Sequence, residues 1–240
     1  MGILSIENFD GETCVVFLDI CGFRDMMYTP GEAEKALDQF FNAAYQEVDT
    51  SQERPYKIDC VAVSDCAIAF ARPNTTILNN SRWIQQKPVV SVDGQRLNSI
   101  LIFVGNISRK MARNDFAVKG SIAFGNFKFQ RRIEIPGIDK ALFVGNAYVD
   151  AYRDVERGRP RLDVGEIRIK PRTKIQEILR DASSFEECSR VDLENGDYYY
   201  YWMLPSIESK RGFKTDFKNQ YRKRYAGRIS LLRKYVEMMP

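Results

Sequence analysis

Histidine is absent from the 240 residues. That absence removes Ser-His-Asp and Cys-His catalysis and every histidine-bearing zinc site. Acid–base or metal chemistry must fall to carboxylates, Lys, Tyr or Cys. Cysteine is scarce and odd in number: Cys14, Cys21, Cys60, Cys66 and Cys188, with no C-x-x-C pair. A disulfide framework or zinc ribbon is therefore not expected. Cys14, Cys60 and Cys66 lie in apolar runs and read as small core residues of a reducing compartment. Long apolar runs are missing as well. The longest, near Cys14–Leu18 and Ile100–Val104, are far too short to span a bilayer. Glu7, Asp10 and Glu12 occupy the region where a secretory signal would be apolar, and Ile6 stands where a myristoylation pattern needs Ser or Thr. The expectation is a cytoplasmic protein with no membrane partner.

What is present is ordinary for a globular chain: 44% hydrophobic and 28% charged residues. The length suits one large domain with a substantial core. Net charge is +4, but Lys210 to Pro240 holds ten Lys/Arg against Asp216 and Glu237. Such a tail reads first as the solvated face of an amphipathic helix, with an acidic partner, lipid or nucleic acid as the alternatives; nucleic acid is not expected. The division that follows is a main domain over 1-205 and a basic amphipathic helix over 206-240, packed on that domain or extending it.

Hydrophobic patterning orders the elements. Thr13–Ile20 reads as a buried strand ending at a glycine turn, and Pro30 to Val48 as a helix. Tyr56–Val63 and Cys66–Ala71, separated by Ser64-Asp65, read as a tight hairpin. Arg72–Gln95 reads as a loop or insertion and Arg96–Asn114 as a helix. Phe116–Phe124 and Phe127–Ile135 read as strands joined near Gly125-Asn126. Asp139–Glu156 reads as a third helix, Glu166–Lys170 as a short strand, Thr173–Asp181 as a short helix and Tyr198–Leu204 as an aromatic strand. Phe213, Phe217, Tyr221 and Tyr225, four apart, predict one long helix over Phe213–Met239. The order implies an α+β domain with helices laid on a mostly antiparallel sheet.

Asp19 is the chemical oddity of the first strand, an acid where acids are disfavoured and costly to bury. Asp65 sits at the hairpin tip. If the first strand lies beside the hairpin, the two carboxylates converge at one sheet edge. Two oxygen acids without histidine suit a hard cation such as Mg²⁺ or Mn²⁺. Taken singly, Asp65 is also a common turn residue and Asp19 a common helix N-cap. The N–H groups of the turn Ile20-Cys21-Gly22-Phe23 could face a triphosphate, or the turn could be an ordinary one with Phe23 in the core.

These stretches resemble the class III nucleotidyl cyclases. Phe17-Leu18-Asp19-Ile20-Cys21-Gly22-Phe23 is similar to their aromatic-x-Asp-Ile-x-Gly-Phe motif. Ser64-Asp65-Cys66-Ala67-Ile68-Ala69-Phe70 is similar to their hairpin motif, usually Gly-Asp-x-x-Met-Ala-x-Phe. Gly120-Ser121-Ile122-Ala123-Phe124-Gly125 resembles their Gly-Ile-x-x-Gly strand, and Gly145–Arg153 their Gly-x-x-Val-Asn-x-Ala-x-Arg helix. The four occur in the family's order. The resemblance implies a ferredoxin-like cyclase fold with a helical C-terminal extension, working as a homodimer with shared active sites. It implies two divalent ions, Mn²⁺ or Mg²⁺, held by Asp19, Asp65 and the Ile20 carbonyl. It makes Arg153 the transition-state arginine, supplied to the partner copy, and places Phe17, Cys21, Gly22 and Phe23 at the nucleotide. Without it, Arg153 would read as a surface residue pairing with Glu156 or Asp150.

Departures from the pattern narrow the substrate. Val149 stands where the family has its transition-state Asn. Val61 and Leu142 stand where adenylyl cyclases place a Lys and an Asp that contact the purine. A compact cyclase with these departures resembles the Pycsar pyrimidine cyclases of bacterial anti-phage defence. That implies UTP converted to cyclic UMP, or CTP to cyclic CMP, read by a separate effector. Lys57 is a candidate donor to uracil O4, if its side chain turns inward rather than into solvent. Two other readings stay open: another two-metal nucleotidyl transferase, though the Gly-Gly-[Asp/Glu]-Glu-Phe motif is absent, and a silent cyclase-like module for nucleotide sensing or dimerisation.

Overall fold

A computed structural model describes residues 6–79, 90–135, 138–171, 173–219 and 224–239. Eight strands form one sheet: β1 (Phe9–Ile20), β2 (Tyr56–Val63), β3 (Cys66–Pro73), β4 (Val118–Ile135), β5 (Ile138–Val144), β6 (Ile167–Ile169), β7 (Val191–Glu194) and β8 (Asp197–Tyr200). Their order is β2-β3-β1-β4-β6-β8-β7, with β5 paired to β4. The β4–β6 pair is parallel. The other pairs are antiparallel. The longer helices are α1 (Glu32–Ser51), α2 (Val92–Arg113), α3 (Asn146–Arg157), α4 (Thr173–Asp181), α5 (Lys210–Asn219) and α6 (Arg224–Glu237). The α+β expectation holds.

The alternation of β1 builds two cores, because successive side chains point to opposite faces. Cys14, Val16, Leu18 and Ile20 face α1 and α2, whose Phe40, Leu97, Ile100 and Val104 are fully buried. Val15 and Phe17 face the other way, against Ile68, Phe70, Phe127 and the Ala147, Ala151 and Val155 stripe of α3. Asp19 continues this second row. Helix α3 therefore lies on the same sheet face as the first acid, and the Tyr152 ring meets Phe17 edge-on at 5.3 Å between centroids.

Four expectations are corrected. The strands expected over Phe116–Phe124 and Phe127–Ile135 are one strand, β4, and Gly125 is not a turn. A Cβ there would come within 2.2 Å of Asn146 Oδ1, so close packing against the start of α3 is what requires glycine. Residues 139–144 belong to β5, not to the third helix, which begins at Asn146. Their apolar spacing fits either period, and pairing with β4, Leu142 opposite Gln130, decides it. Helix α2 begins at Val92 within the expected loop, because Ser91 Oγ accepts the Gly94 N–H at 3.2 Å and caps it; residues 80–89 of that loop lie outside the described ones. The aromatic strand ends at Tyr200 and gains a partner, β7, across Asn195-Gly196, both at positive φ, the signature of a two-residue hairpin.

The C-terminal segment also differs from the single helix expected over Phe213–Met239. Phe213 and Tyr235 would stand about 33 Å apart along one straight helix. Their rings are 5.1 Å apart, so the chain reverses and α6 folds back on α5. Tyr221 lies outside the described residues. Phe213, Ile229, Leu232 and Val236 join the larger core.

Candidate active site

Strand register assembles the site. Asp19 lies at the end of β1, opposite Cys66 of β3 on one side and Lys119 of β4 on the other. The hairpin tip is tied to the same strand end by the Ile20 N–H, which donates to the Asp65 carbonyl at 3.0 Å. Ser64 takes a left-handed φ of 53° to make the turn, where the cyclase motif has glycine. The ligand atoms of Asp19, Asp65 and Cys66 lie within 4.8 Å of one another. The expected convergence of Asp19 and Asp65 is thus present.

Lys119 is the residue that sequence reasoning missed. Its Nζ stands 3.0 Å from Asp19 Oδ2. Burial pushes the Asp19 carboxyl above its usual range, with the Lys119 hydrogen bond and charge opposing the rise. For Lys119, burial lowers the ammonium pKa, but the Asp19 bond and charge prevail and hold it up. The pair is an ammonium against a carboxylate. Burial, then the two acids, push the Cys66 thiol well up, so Cys66 is a neutral thiol beside them. Two carboxylates converging at a strand end favour a hard divalent cation, and a cationic group beside them suits a polyanion. Asp19 and Asp65 therefore fit the ion pair that the motifs imply.

The turn after Asp19 is shaped by Gly22, at φ +76°. The Cys21 N–H donates to the Ala117 carbonyl at 2.9 Å. Cys21 is buried, and burial pushes its thiol up to about 12. The Ile20 and Phe23 side chains lie in the core, so these residues meet a ligand only through backbone groups.

The remaining candidates divide. Phe17 sits one step before Asp19 on its face, and Val61 packs on the same cluster through Ile68. Lys57 does not reach the site. It pairs in register with Arg72 at the far end of the hairpin, about 20 Å from the tip, and lines a groove with Tyr45, Asp59 and Arg72. Leu142 lies opposite Gln130, about 36 Å along β4 from Lys119. Leu142 and Asp19 of one copy therefore cannot hold one nucleotide. Arg153 is exposed on α3 and forms no ion pair among the described residues, so the surface pairing with Glu156 or Asp150 is not seen. It shares the outward helix face with Val149, 40% exposed, and its neighbour Asp154 is buried.

No helix among the described residues is long and apolar enough to cross a membrane. No protein-family model matches the sequence, and no curated protein matches it. Solved structures do. A bacterial light-regulated adenylyl cyclase superposes with a TM-score of 0.56 at 10% identity, covering 97% of this chain and 60% of its own; this chain thus spans under two thirds of that protein. The adenylyl cyclase CyaB from P. aeruginosa gives 0.49 at 17% identity, over 81% of this chain and 95% of its own. The guanylate cyclase domain of RhGC from Catenaria anguillulae, solved in complex with GTP, gives 0.48 at 14%, over 81% and 98%. With Asp19, Asp65 and Lys119 gathered at the end of its first strand, this chain has the fold of the class III nucleotidyl cyclases.

Proposed function

We propose that the protein is a metal-dependent nucleotidyl cyclase of pyrimidine triphosphates, converting UTP, and CTP less well, to the 3′,5′-cyclic monophosphate and pyrophosphate. The observation that carries this is the meeting of Asp19 and Asp65 beside Lys119 at a strand end of a cyclase fold. Asp19, Asp65 and the Ile20 carbonyl would hold two divalent cations, Mn²⁺ or Mg²⁺, which would neutralise triphosphate charge and acidify the ribose hydroxyl. The 3′-oxygen attacks the α-phosphorus, its proton leaves to solvent, and the bond to pyrophosphate breaks. Lys119, beside Asp19, would offer its ammonium to the departing phosphates. The N–H groups of Gly22 and Phe23 line the same turn.

Arg153 acts on the site of a partner copy, where its guanidinium meets the charge developing on the transferring phosphorus. Its exposure, with no acid partner among the described residues, supports this reading, as does the exposed apolar neighbour Val149. The distance from Leu142 to Asp19 also suits a site shared between copies. Val61 and Leu142 offer no polar group to a purine edge, which favours the smaller base. On the Pycsar resemblance, the cyclic product signals phage infection to a separate effector.

A silent cyclase-like module is the second reading, favoured by Val149 in place of the family's Asn. Turnover separates the two. Purified protein with Mn²⁺ should release pyrophosphate from UTP, and EDTA or Asp65→Ala should abolish it while the folded state persists, since a hairpin-tip side chain contributes little packing. Undiminished turnover by folded Asp65→Ala would overturn the site, and no turnover by the wild type would favour the module.

A further inference from the structure

The C-terminal helix reaches the turn that follows Asp19. Tyr225, at the start of α6, donates its hydroxyl hydrogen to the Cys21 carbonyl at 2.6 Å. Its ring lies against Gly22, where an added Cβ would sit 3.3 Å from Tyr225 Cε2. The Cys21 N–H in turn donates to the Ala117 carbonyl at 2.9 Å. Tyr225 thus fastens the chain just past the end of β1, which the Cys21–Ala117 bond ties to the approach to β4. A half-buried phenol gains from a partner, and this one takes it in a segment 204 positions away in sequence.

The helix that presents Tyr225 is itself held. Leu232 and Val236 are fully buried, and Leu232 packs on Gly165. Arg228 pairs with Asp163. Arg233 Nη1 donates to both Asp115 oxygens at 2.9 Å. A rigid bar therefore presses on a turn that contains a glycine, the residue with the most backbone freedom to lose.

We propose that Tyr225 is a positioning residue for the nucleotide site: from the C-terminal helix it fixes the Cys21–Gly22 turn, and with it the direction of the Ile20 carbonyl and of the N–H groups that follow. The extension is then part of the active machinery. This rests on the cyclase reading above, so the test has one readout that does not need turnover.

Tyr225→Phe keeps the ring on Gly22 and deletes only the hydroxyl. Its KM for UTP with Mn²⁺ should rise about tenfold, the scale of one lost hydrogen bond, with kcat changing less. Amide exchange at Gly22–Met26 should quicken in the nucleotide-free protein. Tyr235→Phe is the matched control: it removes a phenol of the same helix that bonds Asp216 Oδ2 at 3.0 Å, and should leave both readouts unchanged. The proposal is overturned if Tyr225→Phe lowers only the melting temperature, or if the two variants behave alike. Should the wild type cyclise no triphosphate, the cyclase reading falls, and exchange at Gly22–Met26 still decides whether Tyr225 holds the turn.

Discussion

Arg168→Met should unfold the protein more easily by about 3 kcal/mol, the low end of the cost of breaking a buried ion pair because Lys170 stays with Asp154. The magnitude follows from the burial of its partner. The Arg168 side chain is 0% exposed and that of Asp154 2%, with Nη1 at 3.0 Å from Oδ1. Arg168 Nη2 also donates to the Pro160 carbonyl at 2.7 Å. Without Arg168, Asp154 keeps Lys170 Nζ at 3.0 Å, while its Oδ2 already lacks a hydrogen-bond partner among the described residues. Asp154→Leu should cost a similar amount by leaving the guanidinium with Asp197 at 3.8 Å. The double variant Asp154→Leu/Arg168→Met strands neither charge, and should lie within about 2 kcal/mol of the wild type, far from the sum of the singles. Lys170, 31% exposed, can turn to water. Urea unfolding followed by far-UV circular dichroism reads all four proteins. Additive losses in the double variant would show that the two charges do not depend on each other. The pair matters beyond stability because Asp154 adjoins Arg153, so this buried bond sets where α3 holds that residue.

Two further outcomes are expected. Asp65→Ala and Arg153→Ala, each inactive alone, should recover roughly a quarter of wild-type turnover when mixed in equal amounts and allowed to exchange, since half the dimers then carry one intact shared site of two; no recovery, or an active monomer, would contradict shared sites. Glu166 has its carboxyl pushed above the usual range by burial, with the Arg168 and Lys214 charges opposing. The folded protein thus holds this proton more tightly than the unfolded chain, so its contribution falls as pH rises from the ordinary carboxylate value through the raised one. Glu166→Gln should therefore be more stable than the wild type at pH 7, with the difference vanishing below pH 4. Thermal melts across that range check it, and a Gln variant weaker at pH 7 would reverse the sign.

Residues whose environment is local were readable. An acid closing an apolar run marked Asp19, a two-residue gap between apolar runs marked Asp65, and the glycine beyond Cys21 marked the turn. Lys119 was hidden because its meaning depends on register: alone it is a lysine in an apolar strand, and only pairing of β1 with β4 sets it opposite Asp19. Lys57 misled for the same reason, since its strand reaches the site and its position on that strand does not. The helix period running through Phe213, Phe217 and Tyr225 survives a chain reversal that no local signal announced. In the sequence, nothing separates Tyr225 from the other aromatics of that run. Asn195-Gly196 is the opposite case, a hairpin signal that was present and passed over.

One competition experiment decides what the protein cyclises. Pure protein is incubated with Mn²⁺ and equimolar ATP, GTP, CTP and UTP, and the cyclic products are identified by mass. Cyclic UMP is expected as the main product, with cyclic CMP a minor one and neither formed by Asp19→Ala. Cyclic AMP or cyclic GMP as the main product would contradict the pyrimidine assignment drawn from Val61 and Leu142, and no cyclic nucleotide at all would contradict the cyclase itself.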